Sequence, residues 1–195
     1  RREFSLLANK LRETQSKSSA RYRGVMSLIA LEGAMDFVTN QTLENARSND
    51  KDHLFPKARR ADFDASDDID SIFNITWMSK DTNEFIKRAK KPSVYVPEFI
   101  SDKYCNKEED FLSVLKSHLI NEDAYKYLKK DDFQNFLNER EKIILEKIAS
   151  IVGAENVLPQ PTTLISPEKP FTNKVAFYST IKSCDEFLYW VDKYF

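Results

Sequence analysis

Asp52-His53-Leu54-Phe55-Pro56, then Ser71-Ile72-Phe73-Asn74-Ile75-Thr76-Trp77-Met78, then Asn83: these three pieces decide how the chain folds. The first reads as a strand end that sets a carboxylate beside one of only two histidines in 195 residues. An acidic loop with Asp62, Asp64, Asp67, Asp68 and Asp70 separates it from the second, an apolar extended run interrupted by one asparagine. Ser79 has the chemistry of an N-cap and opens a helix that contains Asn83 and is followed by Lys87, Arg88, Lys90 and Lys91. The order is strand, loop, strand, helix, and it places a small ββα unit over residues 50–92.

Helical periodicity flanks this unit on both sides. Tyr22, Val25, Met26, Ile29, Ala30, Gly33 and Phe37 recur at helical spacing and predict a core helix from Arg21 that ends near Thr39-Asn40. Downstream, Phe111, Val114, Leu115 and Leu119 mark one helix, and Ala124, Tyr125 and Leu128 a short one capped by Asn121. Asp131 or Asp132 can cap a long helix carrying Phe133, Phe136, Leu137, Ile143, Ile144, Ile148 and Ile151, with Gly153 at its end. Pro159, Pro161, Pro167 and Pro170 then break regular structure. Beyond them, Lys174 to Ile181 reads as a strand and Ser183 to Phe195 as an aromatic-rich helix. The expected fold is α+β, mostly α-helical with the ββα unit embedded in it. Residues 1–49 form a helical lead-in and 93–153 the helical part of the same domain. Residues 154–195 form a Pro-rich linker that could open a further domain.

Composition removes several function classes. Thirty Lys+Arg against 31 Asp+Glu give a formal charge of -1, which excludes a polycation that coats nucleic acid. The balance is an average over unlike parts: the first 23 residues hold seven basic groups against two acidic ones. Three glycines cannot build the phosphate-cradling loops of Rossmann or P-loop enzymes. Cys105 and Cys184 lie far apart, which suits a reducing compartment and excludes a cysteine-rich zinc module. No apolar run is long enough to span a bilayer, and Arg1-Arg2-Glu3 does not open a signal peptide. A start without Met and an abrupt aromatic end lead us to expect a fragment of a longer cytoplasmic protein.

The ββα stretch carries groups suited to hydrolysing phosphodiesters. Water must be deprotonated near neutral pH, and histidine is the side chain whose ordinary pKa suits that task. A hard cation such as Mg²⁺ or Mn²⁺ takes oxygen ligands, which Asp52 and Asn83 offer. On a strand, Asp52 and His53 point to opposite faces, so one can hold the ion while the other addresses the nucleophile. Asn74 is a candidate to hydrogen-bond and orient the imidazole. Lys57, Lys80, Lys87 and Arg88 would attract DNA phosphates locally. His118, within a helix and without such company, is expected to be structural or exposed. The acidic run does not make an EF-hand, since Asp67 stands where glycine is required and Phe73 where glutamate is.

Asp-His, then Asn, then Asn nine residues later on a helix resembles the HNH motif of the ββα-metal (His-Me finger) nucleases. More narrowly, Asp52-His53-Leu54-Phe55-Pro56-Lys57, Ser71 to Thr76, Thr82-Asn83 and Pro92-Ser93-Val94-Tyr95 resemble the nuclease domain of GmrSD-type restriction endonucleases. Gly33-Ala34-Met35-Asp36-Phe37-Val38-Thr39 is similar to the segment that precedes the motif in that family. The resemblance spans about residues 20–100. It implies metal-dependent DNA cleavage in prokaryotic anti-phage defence. His53 would be the general base, Asp52 and Asn83 the metal ligands, and Asn74 the orienting residue. The acidic loop makes the His-to-Asn interval longer than in compact HNH enzymes. The family also implies an N-terminal ParB-like domain or subunit with a Gly-Gln-Gln-Arg motif, which this chain lacks. From a different class, the near-neutral charge and many apolar helices fit a non-catalytic DNA-binding or regulatory module.

Overall fold

Ser19 accepts a hydrogen bond from Tyr22 N at 3.1 Å and so caps the first helix, α1 (Ala20–Leu31). The computed structural model describes residues 10–43, 49–63, 68–101, 104 and 107–152, and these are the residues considered below. Helix α1 buries Tyr22, Val25, Met26, Leu28 and Ile29. It stops at Leu31, well short of the expected end. Gly33, at φ +78°, turns the chain left-handed, and its N–H donates to Ala30 O at 3.0 Å. Phe37 keeps the apolar period but lies in a turn, closed by an isolated bridge between Met35 and Thr42.

The sheet has two antiparallel strands, β1 (Asn49–His53) and β2 (Ile75–Ser79), in the register Asn49↔Ser79, Lys51↔Trp77 and His53↔Ile75. Between them run two 3₁₀ segments, Lys57–Phe63 and Ile72–Asn74. The extended run expected from Ser71 therefore starts only at Ile75. Ser71 Oγ accepts from Phe73 N at 3.4 Å and bends the chain into the 3₁₀ turn that carries Asn74. After β2, Ser79 Oγ accepts from Thr82 N at 3.1 Å. The chain then makes a π-helix, Thr82–Lys87, which ends at Arg88 with φ 53°. Lys90 and Lys91 thus lie beyond that helix.

Four helices complete the described part: α2 (Pro92–Phe99), α3 (Glu108–Ser117), α4 (Glu122–Lys129) and α5 (Phe133–Val152). Asn121 caps α4 through Ala124 N at 2.8 Å, and Asp132 accepts from Asn135 N at 3.3 Å at the start of α5. Asp131 instead accepts from Ser93 N and Ser93 Oγ, tying α5 to the first turn of α2. The chain divides into two units, Arg1–Ile143 and Ile144–Phe195, and only residues 144–152 of the second are described. Gly153, the prolines and the elements expected after them, both cysteines, Asp64 and Asp67 lie outside the described residues. The fold is α+β, mostly helical with a small sheet. No helix among the described residues is long and apolar enough to cross a membrane.

Two buried polar groups lock the sheet to the helices. His118 Nε2 lies 2.6 Å from Met35 O, and its Nδ1 lies 2.7 Å from Thr76 Oγ1. A carbonyl only accepts, so Nε2 carries the proton and Nδ1 accepts from the threonine hydroxyl. Burial brings the imidazole down to about 4, so the ring is neutral and structural. Arg140 is wholly buried on α5 and donates to Phe73 O, Ile75 O and His118 O at 2.8, 2.9 and 3.2 Å. It therefore grips the carbonyls on both sides of Asn74.

Candidate functional site

Strand alternation sorts the β1 side chains onto two faces. Asp50 and Asp52 meet the π-helix. Asn83 Nδ2 lies 3.3 Å from Asp50 Oδ2, and Lys87 Nζ lies 2.5 Å from Asp52 Oδ2. Four residues of helix and two of strand both span about 6–7 Å, which is why one helix can serve both carboxylates. On the other face, Lys51 stacks its ammonium 4.8 Å from the Trp77 ring, its cross-strand partner, and 5.7 Å from the Tyr22 ring. Trp77 Nε1 donates to Met26 O at 2.8 Å and holds this face against α1.

His53 closes β1. Its Nε2 sits 2.9 Å from Asp70 Oδ1, and Lys57 Nζ lies 2.5 Å from Asp70 Oδ2. Asp70 accepts only, so the proton is on Nε2 and the lone pair of the neutral ring is on Nδ1. Nδ1 lies 3.8 Å from Asp52 Oδ1, a charge contact longer than a hydrogen bond. Burial alone would raise the Asp52 carboxyl, but the His53 ring and the Lys87 ammonium outweigh it and bring it to about 2. Burial would likewise raise Asp70, and Lys57 and His53 hold it below its ordinary value.

Asn74 does not touch the imidazole, contrary to expectation. It is fully buried, and its amide is saturated by backbone. Oδ1 accepts from Phe55 N at 2.8 Å, while Nδ2 donates to Phe55 O at 3.0 Å and Ile69 O at 2.8 Å. Asn74 therefore pins the chain just after His53 to the chain just before Asp70, and Asp70 orients the ring. Phe55 is fixed on its other side by Phe63, Phe133 and Phe136, at centroid distances of 5.1 to 5.2 Å. Tyr95 donates to Leu54 O at 3.0 Å.

The π-helix is anchored by a residue that sequence reading placed only in a similar upstream segment. Asp36 Oδ1 accepts from Val38 N, Thr39 N and Thr82 Oγ1, and Oδ2 accepts from Ser79 N. Burial would raise this carboxyl, and the hydrogen bonds from Ser79, Thr39 and Thr82 carry it below its ordinary value instead. Asp70 and Asp36 were not expected at the site. The spacing of Asp70 from His53 carried no signal, since five acidic residues share that loop.

Of the four cations expected to face DNA, Lys80 and Arg88 are exposed, and Lys57 is exposed but bound to Asp70. Lys87 does not belong with them: its side chain is 1 % exposed and its ammonium is spent on Asp52. Burial pushes that ammonium below its ordinary value despite the carboxylate. For a divalent cation, Asp50, Asp52 and Asn83 are hard oxygen donors on one face. Mg²⁺ typically keeps several waters and takes one or two carboxylates, so this donor set fits it. Among the described residues, no three His, Cys, Asp or Glu side chains are grouped as a metal site.

No protein-family model matches the chain. An uncharacterized protein of Methanocaldococcus jannaschii is similar to it, 32% identical over 172 residues that cover 77% of this chain and 29% of that protein. The chain thus spans under a third of the length of that relative. No solved structure matches.

Proposed function

We propose that this chain is the nuclease part of a metal-dependent DNA endonuclease of the HNH type, serving prokaryotic restriction of phage DNA. The observation that carries the reading is the placement of His53 between Asp70 and Asp52, beside a helix that presents Asn83. The strand–strand–helix order and the motif spacing support it.

In this reading His53 Nδ1 accepts the proton of an attacking water. The positive charge that develops on the ring is met by two carboxylates, Asp70 at Nε2 and Asp52 near Nδ1. Asn74 and Arg140 hold the backbone on which both His53 and Asp70 depend. Asp52 and Asn83, with Asp50 beside them, would hold Mg²⁺ or Mn²⁺. When bound, the ion supplies charge neutralisation at the phosphate and the leaving oxygen. Lys80 and Arg88 remain as exposed cations for the DNA backbone. A ParB-like partner domain belongs to the proposal through the family resemblance alone.

Plasmid incubated with Mg²⁺ or Mn²⁺ tests this: wild type should nick or cut it, and His53→Ala should not. Equal cutting by both removes His53 as the base. One observation favours a second reading, a DNA-binding module without catalysis: the Asp52 carboxylate already carries the chain's own buried cation. That reading predicts DNA binding without cleavage, and indifference to Asn83→Ala.

A further inference from the structure

Two basic segments far apart in sequence meet beside the site. One is the 3₁₀ segment Lys57–Phe63, which begins just after His53, and the other is the stretch 88–91 that leaves the π-helix. Arg59 Nε donates to Ala89 O at 3.3 Å, and Asp62 Oδ2 binds both Arg59 Nη1 at 3.4 Å and Lys91 Nζ at 3.2 Å. Phe63 anchors the join from beneath. Its ring packs edge-on against Phe55 at 5.1 Å and lies 5.8 Å from the Lys91 ammonium. Together the two segments hold six cations, Lys57, Arg59, Arg60, Arg88, Lys90 and Lys91, against one carboxylate, Asp62.

This basic lip borders both halves of the proposed site. At one end Lys57 reaches Asp70, which holds His53. At the other, Ala89 lies just beyond Lys87, whose ammonium rests on Asp52, and the same π-helix carries Asn83. The lip also keeps charge that the chain does not consume. The three described carboxylates of the acidic loop are already matched: Asp62 by Arg59 and Lys91, Asp68 by Arg12, and Asp70 by Lys57. Lys90 pairs with Glu98. Arg60 and Arg88 are exposed, and neither side chain has a hydrogen-bond or ion-pair partner among the described residues.

Like charges held this close repel one another unless an anion comes between them. Guanidinium groups suit a phosphodiester, because the planar fork matches its two non-bridging oxygens. Lys57 and Arg60 stand three apart on a 3₁₀ helix, so they share a face with about 6 Å of rise between them. That is close to the step between neighbouring phosphates on one DNA strand. We propose that the lip binds the phosphate backbone of duplex DNA next to the cleaved bond, with Arg60 and Arg88 as its direct contacts. The proposal rests on the endonuclease reading for its substrate and names the track along which that substrate lies. Such contacts position the strand and carry no sequence information.

Anisotropy of a labelled duplex, titrated with the chain in EDTA at several salt concentrations, tests the track without cutting. Arg60→Gln should lower the slope of log affinity against log salt by about one, and Arg60→Gln with Arg88→Gln by about two. Both losses should be the same on two unrelated duplex sequences. Arg60→Lys should keep the wild-type slope, because charge makes the contact. Melting temperatures should match wild type throughout, since both side chains are exposed. Lys126→Gln removes one charge from α4, where the lysine pairs with Asp123, and should leave the slope unchanged. A wild-type slope in the double variant, or an equal fall in Lys126→Gln, would overturn the inference. Failure of the endonuclease reading is seen separately. No cutting by wild type with Mg²⁺ or Mn²⁺, with the slope losses intact, removes the reaction and leaves the DNA track. Cutting without any slope loss removes the track and leaves the reaction.

Discussion

The Lys87 ammonium and the Asp52 carboxylate form an unequal pair: at 2.5 Å, the lysine is 1 % exposed and the aspartate 25 %. The carboxylate is stabilised in its charged form, down to about 2, whereas the ammonium is shifted against its charge by burial. The two shifts point in opposite energetic directions, and the geometry explains why. Asp52 retains His53 and some solvent, but among the described residues Lys87 has Asp52, a 3.5 Å contact to Arg88 O and the Tyr95 ring.

Removing either partner should therefore cost different amounts. Asp52→Ala strands a buried ammonium and should destabilise by about 3 kcal/mol, the scale for breaking a buried pair. Lys87→Met removes the strained charge and should cost about 1 kcal/mol at most, because the remaining carboxylate is partly hydrated. Urea unfolding of both variants at pH 7 measures the difference. A Lys87→Met cost equal to that of Asp52→Ala would mean the pair is symmetric.

The two asparagines should separate stability from activity. Asn74 makes three buried bonds to backbone, so Asn74→Ala should cost roughly 2–4 kcal/mol and lower the melting temperature clearly. Asn83 is half-buried and makes one long bond to Asp50, so Asn83→Ala should leave stability within about 0.5 kcal/mol. Cleavage should nevertheless fail in both. A stable, fully active Asn83→Ala protein would contradict the role assigned to that side chain.

What could be read from the sequence was local, and what could not be read depended on distant partners. Asn121 as a cap and the turn-by-turn apolar spacing of α3 and α4 need only neighbours in the chain. Asp52, His53 and Asn83 could be singled out because strand alternation and helix position are also local. Lys87 looked like one more solvated lysine in a basic run, because its burial depends on Asp52, 35 residues away. Arg140 sits in the apolar stripe of α5 and was passed over, since its partners are the carbonyls of residues 73, 75 and 118. Asn74 was expected to bond the imidazole, whereas its amide is saturated by the backbone of Phe55 and Ile69, partners that no local spacing announces.

Asp70 orients His53 through Nε2, so Asp70→Asn should uncouple binding from rate. The amide can present its NH₂ to the ring and favour the other tautomer, placing the proton on Nδ1. Single-turnover cleavage should fall about 10–100-fold, the usual scale for losing such a supporting hydrogen bond. Duplex affinity should stay close to wild type. A rate unchanged in Asp70→Asn would show that the ring is oriented by something else.

His118 makes stability depend on acid. Its imidazole falls from 6.5 in the unfolded chain to about 4 in the fold, so the unfolded state binds more protons between those values. The contribution is complete above pH 6.5 and is lost as pH falls toward 4, by about 3 kcal/mol in all. Urea midpoints measured from pH 7 to pH 4.5 should drop, and His118→Gln should flatten that slope from a lower starting stability. An identical slope in the variant would assign the acid sensitivity to other groups.

Lys87 also bears on how an ion could reach Asp52. An ammonium and a divalent cation compete for the same carboxylate oxygen, and at about 4 Å two such charges repel by several kcal/mol even in a moderately polar medium. Replacing Lys87 with Met should therefore tighten Mn²⁺ binding by tenfold or more. In a thermal-shift titration the ion stabilises the fold in proportion to RT ln(1 + [Mn²⁺]/Kd), so the tighter site adds about 1.4 kcal/mol per tenfold once the ion is in excess. Lys87→Met should consequently show the largest Mn²⁺-induced rise, wild type a smaller one, and Asp52→Ala or Asn83→Ala little or none. Equal rises in all four proteins would place the ion elsewhere on the surface and leave Lys87 as the permanent counter-charge of Asp52.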